Sequence, residues 1–374
     1  MRQQDVIELF NLRKELHRIP EPAFQEIRTR DLLLKHLEAM SGLTVHRLAN
    51  STGILVEYSG GEGSYLLFRA DMDGLPVREA TGCSFASQHE GFMHACGHDI
   101  HMTVLMGLIK AVLLTRPKRN LLFLFQPAEE GMGGAESVLR EGILQSYEIR
   151  HAFALHVSGS LPVGTVSSKP GIFFAIPQEF DLTFKGKAAH AAFPENGRNA
   201  LTGGVEFLRR INRFIGNLQR SEPVIFNIGV MQSGSIRNII PDLCILQGTH
   251  RSLSKQVRDL VNGELDGLSK EVAGELNLEA QLELLCTYDP VINDETLVNL
   301  LRQACLETGA DYRESRIYMT GEDFGFFTSL YPGLLFWLGG GELEHDLHSD
   351  RFLPNENCIP AGIDIFYKLI ELTN

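Results

Sequence analysis

NLLFLFQPAEEG, residues 120 to 131, starts as an unbroken apolar run and ends in proline, two adjacent glutamates and glycine. A short continuous apolar run bounded by turn residues predicts a strand covered on both faces. Three other stretches have the same build: GILVEYSG (53–60), YLLFRADMDG (65–74) and IRHAFALHVSG (149–159). Helical spacing over 98–115 and 132–142 lies between them, and strands alternating with helices predict an α/β sheet covered by helices. Ligands of such sheets collect beyond the carboxyl ends of the strands. Asp71, Asp73, Glu129, Glu130 and His156 all stand at those ends.

The chain has 374 residues, 44% of them hydrophobic and 22% charged. That is enough to bury a full core, and it exceeds the ~250 to 300 residues at which single cores stop growing, so two domains are expected. A net charge of −13 argues against nucleic acid or an anionic membrane as partner, because both call for clustered positive charge. A small-molecule substrate fits better. MRQQDVIELFNLRKELH at the N-terminus is amphipathic with charges throughout, unlike a secretory signal, and no run approaches the ~18 apolar residues of a membrane span. These features predict a cytosolic protein. The six cysteines (83, 96, 244, 286, 305 and 358) are too scattered for a disulfide scaffold.

Residues 5–18 and 24–40 have helical spacing on either side of a turn at Pro20 to Pro22. From about 177 the pattern changes. EFDLTFKG (179–186) has strand character, 198–216 helical, VIFNIGVMQSG (224–234) and DLCILQGTHRS (242–252) strand, 254–275 helical and LEAQLELLCTY (278–288) strand. That order, β-α-β-β-α-β, is ferredoxin-like. The expected organisation is a first α/β domain of residues 1–176 and 287–374 with a mixed sheet flanked by helices, interrupted by a small inserted α+β domain of residues 177–286. LLFWLGG (334–340) supplies a further strand of the first domain ahead of HDLHSDRF (345–352).

MHACGHDIHM (93–102) packs one cysteine and three histidines into eight residues. Taken singly, Cys96 and His98 have a plain explanation as polar residues at a helix start. The glutamate pair is equally at home on a solvated helix N-terminus, and His156 or His348 in a hydrogen-bonded core. Jointly, four separate segments each deliver a ligand-type residue just after an apolar strand or at a helix start. Cys, His, Glu, His and His form a set suited to zinc, cobalt, nickel or manganese. Five ligands exceed what one tetrahedral ion takes, which points to two ions with one residue bridging them. Such pairs hydrolyse amides by lowering the pKa of a shared water and polarising the carbonyl. One of the adjacent glutamates is then free to ligate while the other moves the proton.

MHACGHDIHMT, FQPAEEGMGGAE, FALHVSG, GKAAHAAFP, MTGEDFG and LHSDRF resemble the amidohydrolase branch of the M20 metallopeptidase family, in order and over essentially the whole chain. Within that branch LLFLFQPAEEGMGGAE, PVGT, MTGEDFGFF and YPGLLFWLG are most similar to the N-acetyldiaminopimelate deacetylases. The resemblance implies a catalytic domain holding two divalent metal ions per subunit (Zn, Co, Ni or Mn) and an inserted lid through which two subunits dimerise. It implies Cys96, His98, Glu130, His156 and His348 as metal ligands, with Glu129 as general acid/base. Asp73 matches a carboxylate that orients a ligating histidine. Asp71 stands where relatives outside this branch carry a histidine ligand, and it is left out of the ligand set, as are His94 and His101, which flank it.

His190, in GKAAHAAFP, matches a hydrogen-bond donor to the developing oxyanion, although this chain has two alanines where relatives commonly have two glycines. Asn238 in RNIIPD and Arg251 in GTHRS match substrate-binding positions, the guanidinium being a planar fork for a carboxylate. A solvated charge on a strand is the alternative for Arg251. Glu322 and Asp323 border the site without a catalytic step. Phe173, Phe174 and Phe193 are candidates for an acyl pocket, though aromatics beside strands are more often core. The acyl group of the N-acyl amino acid, and the amino acid itself, depend on pocket shape, which the sequence does not carry.

Overall fold

The computed structural model describes residues 3–131 and 133–373. The chain divides into two compact units, one of Met1–Phe173, Val291–Arg316 and Asp323–Asn374, the other of Phe174–Pro290 and Ile317–Glu322.

The first unit opens with helices α1 (Gln3–His17) and α2 (Ile27–Leu37), followed by strands β1 (Thr44–Arg47), β2 (Ile54–Ser59) and β3 (Tyr65–Asp71). Then come α3 (His98–Thr115), β4 (Asn120–Gln126), α4 (Gly134–Glu141) and β5 (Ile149–Ser158). The strands form a mixed sheet in the order β1, β2, β4, β3, β5 and then Gly333–Gly339. β1, β2 and β4 pair antiparallel, whereas β4, β3, β5 and Gly333–Gly339 run parallel. Four parallel strands therefore end at one edge. In register there, Asp71 faces Gln126 and His156 faces Trp337.

Every residue of β3 after Tyr65 and all of β4 is buried, as expected of parallel strands covered on both faces. Helix α3 is long and apolar enough to cross a membrane, yet 78% of it is buried inside the protein. It packs against α1 and Cys358–Leu372, which makes it a core helix apolar all round. It begins after Gly97, whose φ of +83° suits glycine and where a Cβ would lie 2.3 Å from Val157.

In the second unit, Ile176–Lys185, Ala200–Leu218, Ile225–Ser233, Leu243–Ser252, Lys255–Leu276 and Glu279–Thr287 give the expected β-α-β-β-α-β order. Its four strands are antiparallel, in the order Ile225–Ser233, Leu243–Ser252, Ile176–Lys185, Glu279–Thr287, which is the ferredoxin-like arrangement. Phe180, Leu182 and Phe184 alternate along the first strand and share a core with Phe207, Ile211, Val261 and Leu265 of the two helices. Asn199 and Ser254 cap those helices by accepting main-chain N–H groups of the first turn.

Some boundaries depart from the expected ones. The helix expected over 24–40 is limited to Ile27–Leu37. The one expected over 132–142 runs Gly134–Glu141 after Gly133 in the left-handed region, and Met132 lies outside the described residues. Residues 317–322 belong to the second unit rather than the first. The Ala175 N–H donates to the oxygens of Tyr318 (2.9 Å) and Thr320 (3.2 Å), and Phe174 stacks on Tyr318 with ring centroids 5.7 Å apart.

One side chain ties the carboxyl edge of the first unit together. Arg69, fully buried in β3, donates to Gln126 Oε1 (2.8 Å), Asp71 Oδ2 (2.8 Å) and Asp323 Oδ1 (2.7 Å). Asp323 also accepts from the Gln126 amide (2.7 Å) and from the Ala135 N–H at the start of α4 (2.8 Å). Replacing Arg69 with Met leaves two buried carboxylates without their cation, so destabilisation of about 3–5 kcal/mol is expected by urea unfolding. In the second unit Phe184→Ala is expected to cost about 3–5 kcal/mol by the same measurement, from lost burial and the cavity beside Phe207.

Candidate metal centre

The end of β3, the start of α3, the turn after β4, the end of β5 and the loop at 345–350 converge beyond the carboxyl edge of the sheet. Donor atoms of Cys96, His98 and His156 lie within 4.8 Å of one another, as do those of Cys96, Glu130 and His348, and those of His98, Glu129 and Glu130. Cys96 belongs to two of these groups and His98 to two, so the clusters overlap as a bridged pair of ions requires. His156 Nε2 is 3.3 Å and His348 Nε2 3.5 Å from Cys96 Sγ. Glu130 Oε1 lies 3.9 Å from His98 Nε2 and 3.4 Å from His348 Nε2.

Hydrogen bonds at the far ring nitrogens set the tautomers. His98 Nδ1 donates to the main-chain oxygen of Asp73 at 2.9 Å, and His156 Nδ1 donates to that of Val157 at 2.8 Å. Each turns Nε2 towards the cluster, where it can ligate once deprotonated, and the buried Nε2 of His98 has no hydrogen-bond partner. His101 is arranged otherwise. Its Nε2 accepts the Val157 N–H at 2.8 Å, so its Nδ1 carries the proton donated to Asp71 at 2.7 Å. Both nitrogens are committed. His94 is fully buried, and burial lowers its pKa to about 4, keeping the ring neutral.

The carboxylate expected to orient a histidine has a different set of partners. Asp73 Oδ1 and Oδ2 accept the N–H groups of Glu129 (3.1 Å) and Glu130 (3.0 Å), while its nearest carboxylate oxygen is 3.4 Å from His98 Nδ1. Asp73 thus holds His98 through its main-chain oxygen with its carboxylate close by, and the same carboxylate receives both N–H groups of the acid pair. His348 has φ +66° and donates its N–H to Ala95 at 2.9 Å; with a side chain 55% exposed it forms the open side of the cluster. A non-glycine residue held in the left-handed region is a recurrent feature of functional sites.

The electrostatics match this donor set. Burial raises the Cys96 thiol pKa, and Glu130, Glu129 and Asp71 push it further above its ordinary value. Burial alone would lower that of His98, but Asp71, Asp73 and Glu130 lift it to about 10. The cluster is rich in buried anions, and these raise both values. A thiolate, imidazoles and a carboxylate beside an unpartnered buried Nε2 are what a pair of divalent cations would require.

Behind the centre is a network the sequence reading missed. Asp99, next to His98, accepts from Arg13 Nε (2.8 Å) and His17 Nδ1 (2.9 Å), all three being buried. Burial opposes its charge, yet Arg13 and His17 hold the carboxyl well below the usual range. The detectable signal was local: an arginine and a histidine at core positions of α1, and Arg69 within an apolar strand.

The second unit holds the remaining expected residues. His190 and Asn238 lie on one small ribbon, where His190 pairs with Ile239 and the Ala191 N–H donates to the Asn238 oxygen at 2.9 Å. Both are exposed. Arg251, half-buried near the end of Leu243–Ser252, pairs with Ile225 and Pro177. Glu322 and Asp323 are buried on either side of the unit boundary. Phe173 and Phe174 are buried core residues, and Phe193 is 57% exposed.

The model of peptidase family M20/M25/M40 matches residues 67–372. N-acetyldiaminopimelate deacetylase of Shouchella clausii (strain KSM-K16) is 35% identical over 359 residues, 96% of each chain. The enzyme of the same name from Bacillus subtilis (strain 168) is 35% identical over 364 residues, again 96% of each. Among solved structures, the Bacillus subtilis YXEP protein, a dinuclear metal binding peptidase from the M20 family, superposes with a TM-score of 0.84 at 28% identity, covering 98% of both chains. Sequence, fold and clustered donors agree, and the chain belongs to peptidase family M20/M25/M40.

Proposed function

We propose that this protein is a metal-dependent amidohydrolase that removes the acetyl group from N-acetyl-LL-2,6-diaminoheptanedioate, releasing acetate and LL-diaminopimelate, an intermediate of lysine synthesis. The observation that carries the chemistry is the overlap of two donor groups at Cys96 with the buried Glu129 beside them. The substrate rests on the relatives, which from several organisms bear the name N-acetyldiaminopimelate deacetylase over nearly their whole length.

In this reading Cys96, His98, Glu130, His156 and His348 hold two divalent ions drawn from zinc, cobalt, nickel and manganese. When bound, such a pair acidifies a water and polarises the acyl carbonyl. Glu129 takes the proton of the attacking water as oxygen adds to the acetyl carbon, then delivers it to the nitrogen as the C–N bond breaks. Asp73 keeps the two glutamates apart in function by gripping both N–H groups. The second domain supplies His190 as hydrogen-bond donor to the oxyanion, and Asn238 and Arg251 for substrate recognition, with Arg251 offering its fork to a carboxylate. That domain also pairs two subunits, and the enzyme works in the cytosol.

Glu129→Gln is expected to retain both metals by elemental analysis and to lose about 10²- to 10⁴-fold in kcat; wild-type turnover would remove the assigned role. Chelation should abolish activity, and returning the four metals one at a time should restore it for the native ion. Amine release from N-acetyl-LL-diaminopimelate, hippurate and N-acetylmethionine tests the substrate: a higher kcat/KM for hippurate would replace the deacetylase assignment and leave the amidohydrolase one standing.

A further inference from the structure

The acid pair sits on a turn whose backbone is held by other carboxylates. Three successive main-chain N–H groups, those of Ala128, Glu129 and Glu130, all donate to buried carboxylate oxygens. Asp73 takes the second and third. The first goes to Glu26 Oε1 at 2.9 Å, and Glu26 is completely buried just before α2. The same oxygen accepts the Phe24 N–H at 3.0 Å, while Oε2 accepts the Thr52 hydroxyl. One carboxylate thus fastens the turn after β4 to two segments distant in sequence.

The turn needs such a clamp. Ala128 is a non-glycine residue at φ +57°, in the left-handed region where a Cβ is disfavoured. On the other side its oxygen accepts the Gly134 N–H at 3.0 Å, and a Cβ at Gly134 would lie 1.7 Å from the Pro127 oxygen. Pro127 and Ala128 are therefore held against Gly134, and the N–H of Ala128 is received by Glu26. A rotation of this peptide plane would shift the turn that carries Glu129 and Glu130.

We infer that Glu26 is a positioning residue for the catalytic pair, holding Ala128 in its left-handed conformation so that Glu129 and Glu130 point to their separate tasks. This rests on the amidohydrolase reading for the roles of the pair, but the clamp itself is a property of the fold. What Glu26 contributes is an acceptor oxygen at a fixed place. Burial, with Asp73 nearby, pushes its pKa up to about 7, so a neutral side chain of the same shape is compatible with the site.

The test compares Glu26→Ala, Glu26→Gln and Glu26→Asp in the metal-loaded protein, reading metal content, circular dichroism, kcat, KM, the pH profile of kcat, and hydrogen exchange of the peptide spanning 127–131. Glu26→Ala and Glu26→Asp, whose carboxylate is withdrawn by one methylene, should keep both metals, lower kcat about 10- to 100-fold with KM little changed, and shift the acid limb of the pH profile. Both should speed exchange at 128–130. Glu26→Gln, which retains the acceptor, should stay within about threefold of wild type with protected amides. Normal kcat per folded, metal-loaded Glu26→Asp molecule, unchanged exchange, or a Glu26→Gln variant as impaired as Glu26→Asp would overturn the inference. Should Glu26→Ala fail to fold, the Asp and Gln variants carry the comparison. A wild type inert towards all three N-acyl substrates would sink the function instead, and the exchange measurement would still decide the clamp.

Discussion

Negative charge is concentrated and buried at the carboxyl edge of the parallel sheet. Asp71, Asp73, Glu129 and Asp323 are all buried there, with Glu130 only partly exposed. Arg69 pairs with Asp71 and Asp323. Isolated charges at this depth would cost several kcal/mol each. Burial and the neighbouring carboxylates raise the Cys96 thiol pKa, and the carboxylates raise that of His98 against the effect of burial, a field that would favour divalent cations at this edge.

The topology makes that concentration unavoidable. Four parallel strands ending at one edge bring the residues that follow each of them to the same place, and α3 starts there with its dipole directed at the anions. The strands themselves are apolar enough to fold without the site. The candidate functional side chains stand at the strand ends, at the start of α3 and in the turns that follow, where buried hydrogen bonds fix them. Left-handed Ala128 and His348, both next to or within the cluster, show where the backbone carries strain on behalf of the site.

Much of this was legible in the sequence because its period is simple. Apolar runs such as NLLFLFQ mark buried strands whatever their neighbours, and the β-α-β-β-α-β order follows from alternation and helical spacing. The cysteine, histidines and glutamates announced themselves by type. Partners between segments far apart in sequence were not legible. Nothing in FQE or PAEEG says that Glu26 meets Ala128, and nothing in RADMD says that Asp73 spends its carboxylate on main-chain N–H groups while its carbonyl holds His98. Residues 317–322 were misplaced for the same reason, since a main-chain bond to Ala175 leaves no trace in composition.

The sorting of the histidines shows how function emerges from such invisible bonds. His98, His101 and His156 are all buried, all on or beside apolar elements, and their rings lie within 6.2 Å of one another by centroid. By residue type they are equivalent. What separates them is the main-chain group that each meets: a carbonyl takes the Nδ1 proton of His98 and of His156, freeing Nε2, whereas an N–H from Val157 occupies Nε2 of His101. Val157 makes both choices at once, its carbonyl orienting His156 and its N–H engaging His101. One residue at the end of β5, through the two peptide groups that flank it, therefore engages His156 on one side and, on the other, His101, the donor that steadies Asp71 and through Asp71 the Arg69 network behind it.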